Sequence, residues 1–235
     1  MGTRVKVLVV NVGSSSIKLS LLDHDDRVVL GENLPADASD AQIEAFFAEA
    51  GEPDAIGHRI VHGGPDLLHP TSIDPGVLTL LDDTARLAPL HDPPAIAMVR
   101  RLRDLHPEVP AVACFDTTFH RSINASHRTY AIPAPWRDAG VQRFGFHGLS
   151  YSYACRRARE LLGAGEQTRE GEDPGPGDLR VVICHLGAGA SVCATEGGVS
   201  RDTTMGFTPV EGLVMATRSG DVDPGARMWL QQELR

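Results

Sequence analysis

The chain has 235 residues, 42% hydrophobic and 23% charged, with 22 basic against 31 acidic side chains for a net charge of −9. That length holds more than one average domain, and the composition is too apolar and too mixed for general disorder. An acidic chain with no apolar run near ~20 residues gives no basis for a nucleic-acid partner or a membrane span. Any bound anion must then be held by a few placed cations and backbone N–H groups.

Residues 5–10 are a β-branched run read as a buried strand, followed by the turn Asn11-Val12-Gly13-Ser14-Ser15-Ser16. Strands at 17–22 and 27–32 flank a hairpin at 23–26. A helical pattern over 36–50 places Ile43, Phe46 and Phe47 on one face. A strand over 55–62 ends at Gly63-Gly64, and a helix covers 75–87. The next helix opens at Asp92-Pro93-Pro94, with Asp92 as its cap. A strand at 111–115 delivers Asp116 at its carboxyl end, where ligands of open α/β sheets gather. The helix over 150–162 packs through Ala154, Ala158, Leu161 and Leu162, and 163–178 reads as a mobile surface connection. Cys114, Cys155, Cys184 and Cys193 form no C-x-x-C pair and read as buried thiols of a reducing compartment. With no signal-peptide pattern at the start, a cytoplasmic location is expected.

The opening pattern then returns. Val7 to Gly13 corresponds to Val181 to Gly187, an offset of 174 residues, each an apolar strand running into a polar residue, a loop of small residues and a second strand. Either strand-turn-strand units coincide, or two similar domains each open with a phosphate-cradling hairpin. On the second reading only about 55 residues remain for the later copy, so it is expected to be incomplete.

Chemistry concentrates in a few places. The loops 11–16 and 185–191 combine Gly with Ser hydroxyls, suited to phosphates or simply to tight hairpins; neither is a P-loop or a dinucleotide fingerprint. Arg59 shares a strand face with Gly57 and Val61, a pairing of cation and small apolar group that fits a short carboxylate or a structural salt bridge. Asp116 is either a ligand-facing acid or a helix cap. Gly145-Phe146-His147-Gly148 is an accurately bent loop whose imidazole is a site group or a structural hydrogen bonder, and Arg218 is a second candidate anion clamp. No His/Cys spacing fits a zinc site, and G-x-S-x-G is absent.

The segments NVGSSSIK (11–18), GHRIVHGG (57–64), APLHDPP (88–94), FDTTFH (115–120), RFGFHG (143–148), CHLGAGAS (184–191), TTMGFTPVEGL (203–213) and ATRSGDVDPG (216–225) together resemble the acetate/propionate/butyrate kinase family of the actin-like ATPase superfamily. The resemblance implies an α/β fold, a duplicated actin-like (ribonuclease H-like) domain with the second copy truncated. The divisions are 1–150, a helix and connection over 151–180, and an incomplete second domain over 181–235. It implies reversible, ATP- and Mg²⁺-dependent phosphorylation of acetate to acetyl phosphate. Alternatives are propionate or butyrate as substrate, or an inactive fragment that only binds phosphate or carboxylate. By the same resemblance Arg59 binds the carboxylate, and Val61, Leu90, Phe146 and Pro209 line its apolar pocket. Asn11 helps hold Mg²⁺. Lys18, Ser14 and Ser16 contact the nucleotide, and His185, Leu186, Gly187, Ala188 and Gly189 form its phosphate loop. Asp116, His147 and Arg218 are the catalytic set, with Asp116 orienting groups and His147 and Arg218 stabilising the moving phosphoryl group. A homodimer is expected of the complete protein. The chain departs from the family at Ala188, at Ala216 and at Asp92, where the family has Asn.

Overall fold

A computed structural model describes residues 5–13, 15–162 and 179–233. By contact the chain divides into two compact units, Met1–Thr118 and Phe119–Arg235. The expected connection at 163–178 lies outside the described residues. No described helix is long and apolar enough to cross a membrane.

In the first unit, strands β1 (Val7–Val12), β2 (Ser16–Leu22) and β3 (Val28–Pro35) form an antiparallel meander. Helix α1 (Asp40–Ala50) then carries the chain back so that β4 (Ala55–Ile60) lies parallel to β1. After β5 (Thr71–Ser72), helices α2 (Pro75–Thr84) and α3 (Asp92–Leu105) return it to β6 (Ala111–Phe115), parallel to β4. The sheet order β3-β2-β1-β4-β6-β5 is the ribonuclease H-like arrangement expected from the motifs. The helix limits have local causes. Ser39 and Gln42 form a reciprocal capping box at α1, and Asp74 caps α2 by accepting from the Val77 N–H at 2.8 Å. At α3 the expected cap is displaced: His91 occupies that position, and Asp92 is the first helical residue, its carboxylate turned elsewhere.

Alternation sorts the sheet into two faces. Leu8, Val10, Ile17, Leu19, Ile56, Ile60, Ala113 and Phe115 are all buried against Ile43 and Phe46 of α1, Leu81 of α2, and Ile96, Val99 and Leu102 of α3. The alternate residues of β4, among them Gly57 and Arg59, are only half-buried. The core therefore fixes which face Arg59 must take.

The second unit holds a three-stranded antiparallel sheet of β7 (Arg180–Leu186), β8 (Ala190–Glu196) and β9 (Val199–Thr203). Short helices α4 (Ala125–Arg128) and α5 (Ala134–Asp138) precede helix α6 (Gly148–Leu161), and α7 (Pro224–Glu233) follows the sheet. Residues 119–150 pack here rather than with the first sheet: His120 reaches Ser200 at 2.8 Å and Arg143 Nη1 donates to the Thr203 carbonyl at 3.2 Å. The packed side of α6 differs from expectation. Tyr151 and Cys155 are buried, whereas Leu161 and Leu162 are 70% and 65% exposed. All four cysteines are free thiols, but only Cys155 and Cys193 are buried and Cys184 is exposed.

The repeat holds over its first two strands. Shifted by 174 residues, β1 and β2 overlay the spans of β7 and β8. The later hairpin is one residue tighter: Val12 pairs with Ile17 across a four-residue turn, and Leu186 with Ala190 across three.

Candidate functional site

In the first unit, β1, β4 and β6 bring Asn11, Arg59 and Asp116 together at their carboxyl ends. Arg59 Nε donates to Asp116 Oδ1 at 3.1 Å and Nη2 to Oδ2 at 2.6 Å, while Nη1 donates to Asn11 Oδ1 at 3.0 Å. Asp116 is itself held by its own N–H, which donates to the Ile60 carbonyl at 3.1 Å. Desolvation works against the guanidinium charge, but the Asp116 carboxylate outweighs it and raises the Arg59 pKa. Three of five guanidinium N–H groups are thus committed, leaving two to offer a ligand. Lys18 is exposed and stands directly across the β1–β2 ladder from Asn11, on the same face. The Ser16 carbonyl accepts from the Gly13 N–H at 2.8 Å and closes the turn; Ser14 lies outside the described residues.

Val61 is buried, just beyond β4, whereas Leu90 is 80% exposed. Behind Val61 lies a group the sequence offered only as a helix cap. The Asp92 carboxylate, fully buried, accepts from the N–H groups of Val61 at 3.0 Å and His62 at 3.3 Å. Burial pushes its pKa up to about 7 against the pull of those two donors. The imidazoles of His58 and His62 are driven down to about 4 by burial, and so are neutral at ordinary pH.

In the second unit, His147, Arg218 and the 187–189 loop meet. A Cβ placed on Gly189 would lie 3.2 Å from His147 Nε2 and 3.7 Å from Arg218 Nη1, so the imidazole and the guanidinium border one point that glycine keeps clear. His147 has φ of +60°, rare for a residue with a side chain and a conformation that surrounding bonds must hold. Gly145 precedes it at φ +74°, pressed against His120 and Thr203. His120 Nε2 lies 2.9 Å from the Phe146 carbonyl. The His147 ring stacks on His185 at 3.9 Å, and His185 Nδ1 lies 3.0 Å from Ser150 Oγ. His147 Nδ1 is 2.8 Å from Ser191 Oγ, which is 2.5 Å from the Tyr151 hydroxyl. Burial raises the Tyr151 pKa to about 12, so the phenol keeps its proton and can donate. Ser191 Oγ thus joins the Tyr151 hydroxyl to His147 Nδ1, and Nε2 is the ring nitrogen beside Gly189.

Arg218 Nη1 also donates to the Pro209 carbonyl at 2.8 Å. Pro209 is half-buried, and Phe146, only 1% exposed, is a core ring rather than an open pocket wall. Leu186, Gly187 and Ala188 are exposed along the loop. The segment carrying Pro209 is braced by Glu211, which accepts from Tyr130 and, at 2.5 Å, from Arg143 Nη2. A cleft of about 440 Å³ lined by Arg143, Asp202, Thr203, Thr204, Leu213 and Asp221 contains none of the expected site residues.

Sequence reasoning passed over Asp92, Tyr151, Ser191 and Glu211 as site-shaping residues. Tyr151 had a signal, since it follows His147 by one helical turn; Ser191 closes the quoted small-residue motif. Glu211 gave none.

Residues 41–235 match the family model described as the acetokinase family. The chain belongs to the acetokinase family. Among members of this family, the acetate kinase of Microcystis aeruginosa is 46% identical over 178 residues, covering 76% of this chain and 42% of that protein. A crystal structure of a propionate kinase from Francisella tularensis superposes with a TM-score of 0.83 at 31% identity, covering 98% of this chain and 65% of that one. The acetate kinase of Porphyromonas gingivalis gives 0.80 at 33%, covering 97% and 64%. The chain therefore spans between two fifths and two thirds of the length of these acetokinase relatives.

Proposed function

We propose that the chain carries the carboxylate- and phosphoryl-binding groups of a kinase that transfers the terminal phosphate of ATP to acetate, giving acetyl phosphate and ADP reversibly. The observation that carries the reading is the convergence of His147, Arg218 and the Gly187–Gly189 loop on one point, a donor set suited to phosphate oxygens. Phosphoryl transfer needs little covalent help from the protein: one carboxylate oxygen bonds to the γ-phosphorus as its bond to the bridging oxygen breaks, and ADP leaves. The work lies in offsetting negative charge.

Arg59 takes the carboxylate, with Val61 and Leu90 of the same unit offered to the acyl tail; Phe146, a core ring, is not carried into this reading. Asp116 serves as an orienting group rather than a base, supported by the commitment of both its oxygens to Arg59 and by the substrate's being ionised already at pH 7. Lys18, Ser14, Ser16 and the 185–189 loop address the nucleotide. Mg²⁺ would sit at Asn11. The fit is adequate, because this hard cation keeps several waters, takes phosphate oxygens and needs only one or two protein oxygens. Asn11 Oδ1 is such an oxygen, although it already accepts from Arg59. When bound, Mg²⁺ would neutralise phosphate charge. Among the described residues the grouping of Asp23, His24 and Asp25 is a hairpin turn instead, its N–H groups bonded to Asp23.

Propionate is the second substrate, on the likeness to the propionate kinase; one methylene changes affinity by only about 1–3 kcal/mol. Binding without turnover is the other reading, on the partial coverage of the relatives. A cytoplasmic homodimer of the complete protein belongs to the same proposal. Acyl phosphate formation trapped as hydroxamate, with acetate, propionate and butyrate in turn, tests it on the 235-residue chain and on a chain extended to the relatives' length. Product from neither defeats the kinase reading. Product from the longer chain alone assigns this one to ligand binding.

A further inference from the structure

We propose that Asp92 is a further positioning residue for the carboxylate substrate, pinning the backbone just beyond Arg59 and linking substrate binding to the uptake of a proton. This rests on the assignment of the carboxylate to Arg59.

The geometry is that of a buried acid whose partners are backbone donors rather than a cation. Oδ1 accepts from the Val61 and His62 N–H groups at 3.0 and 3.3 Å, and Oδ2 from His62 at 3.3 Å. Those two residues continue the chain directly from Ile60, the end of β4, so the acid at the start of α3 fixes the exit of the strand that presents Arg59. Removing the acceptor would free two buried N–H groups within two and three residues of the guanidinium.

Charge supplies the second half of the argument. The Arg59 and Asp116 charges cancel within their pair, so an incoming carboxylate meets a nearly neutral cluster plus whatever charge Asp92 bears. The charged groups acting on Asp92 are Arg59 of β4 and Asp116 at the end of β6; Val61 and His62 bond it through backbone N–H groups, and His91 precedes it in the chain. Burial is the main influence on the acid and raises its pKa to about 7, with the two N–H donors and Arg59 lowering it and Asp116 raising it. His58 and His62, at about 4, do not change charge near neutrality. With Asp92 protonated the cluster accepts an anion; with Asp92 ionised it carries an added negative charge, and the anion is repelled. Binding of the anion correspondingly draws a proton onto Asp92.

The test titrates propionate into the ¹⁵N-labelled 235-residue chain at pH 6, 7 and 8, following backbone amide shifts in wild type, Asp92→Asn and Arg59→Lys. Asn keeps one acceptor oxygen for the Val61 and His62 N–H groups and cannot titrate. In wild type the dissociation constant should rise about fivefold from pH 6 to pH 8, the size expected for one partly screened charge nearby. The Val61 and His62 amide shifts should titrate in the same range without ligand. In Asp92→Asn both dependences should vanish, with affinity at pH 8 tighter than wild type. A wild-type affinity flat with pH, or a slope that persists in Asp92→Asn, overturns the proposal and leaves the role of Arg59 standing. Absent binding, or affinity unmoved by Arg59→Lys, overturns the role of Arg59 and this proposal with it.

Discussion

Arg59 and Asp116 meet edge to edge, Nε to Oδ1 and Nη2 to Oδ2, with the acid 2% exposed and the arginine side chain 29%. The two partners are therefore not equivalent. Arg59→Ala strands a buried carboxylate and should cost about 3–5 kcal/mol. Asp116→Asn keeps an acceptor and leaves behind a guanidinium that still reaches water and Asn11, so about 1–2 kcal/mol is expected. Urea unfolding followed by far-UV circular dichroism compares them; the reverse order would mean that the acid, not the arginine, is the better solvated in the native state.

Ser191 serves two rings at once. Ser191→Ala removes a partner of both His147 Nδ1 and the fully buried Tyr151 hydroxyl, which keeps its bond from the His185 backbone. Loss of one buried partner predicts about 1–3 kcal/mol of destabilisation. It also lets the imidazole turn or change tautomer. In an active, length-extended protein kcat should fall about tenfold with KM for the carboxylate little changed, since orientation of a stabilising group acts mainly in the transition state. Ser191→Thr, which keeps the hydroxyl, should recover most of it. A KM effect with kcat intact would place His147 in ground-state binding instead.

The 174-residue repeat explains what was legible and what was not. The apolar alternation of β2 marks its buried row Ile17, Leu19 and Leu21 without ambiguity. The matching row of β8 is Ser191, Cys193 and Thr195, equally buried, where polarity hides the inward face. That row bonds His147, Tyr151, Ser200 and Cys155, so the strand position is kept while its job changes from apolar packing to holding side chains. Periodicity reads the first kind of row and is blind to the second. Asp116 was visible because strand ends in α/β sheets are places of known use, and Arg59 because it is a cation sharing a strand face with Val61. Asp92 was visible only as a helix start, because a carboxylate that caps a neighbouring strand rather than its own helix leaves the same local pattern. Leu161 and Leu162 misled for the opposite reason: apolar residues at the right spacing near the end of α6, yet beyond the part that packs.

The second unit leaves apolar groups in water. Val182 and Leu186 of β7 are 67% and 74% exposed, and Met228, Trp229 and Leu230 of α7 are 61%, 59% and 45% exposed. Among the described residues β7 pairs on one edge only, with β8. A one-sided strand with exposed apolar side chains is a template for association. Sedimentation velocity of the 235-residue chain should show a weight-average mass that rises with concentration, and Val182→Lys should suppress the rise. A sharp monomer at all concentrations would show that this surface is inert.

Stability against pH follows from three buried groups of the first unit, two acting against the third. Unfolded histidine binds its proton near pH 6.5, whereas His58 and His62 in the fold hold out to about 4. Between these values the unfolded chain binds more protons through them, so their contribution is intact above 6.5 and is lost as pH falls. Asp92 has the opposite sign. Its unfolded value of 3.8 is raised to about 7, so the fold binds the extra proton, and its contribution is present below 3.8 and lost as pH rises through 7. From pH 6.5 down to 4 the balance is one proton against folding, or about 1.4 kcal/mol lost per pH unit, with the maximum near 6.5. His58→Leu should remove most of that acid slope and leave the profile nearly level. Asp92→Asn should roughly double the slope and abolish the decline just above 6.5. Urea midpoints from pH 4.5 to 7.5 for the three proteins decide it; an acid slope unchanged in both variants would mean that surface carboxylates, not these buried groups, govern acid unfolding.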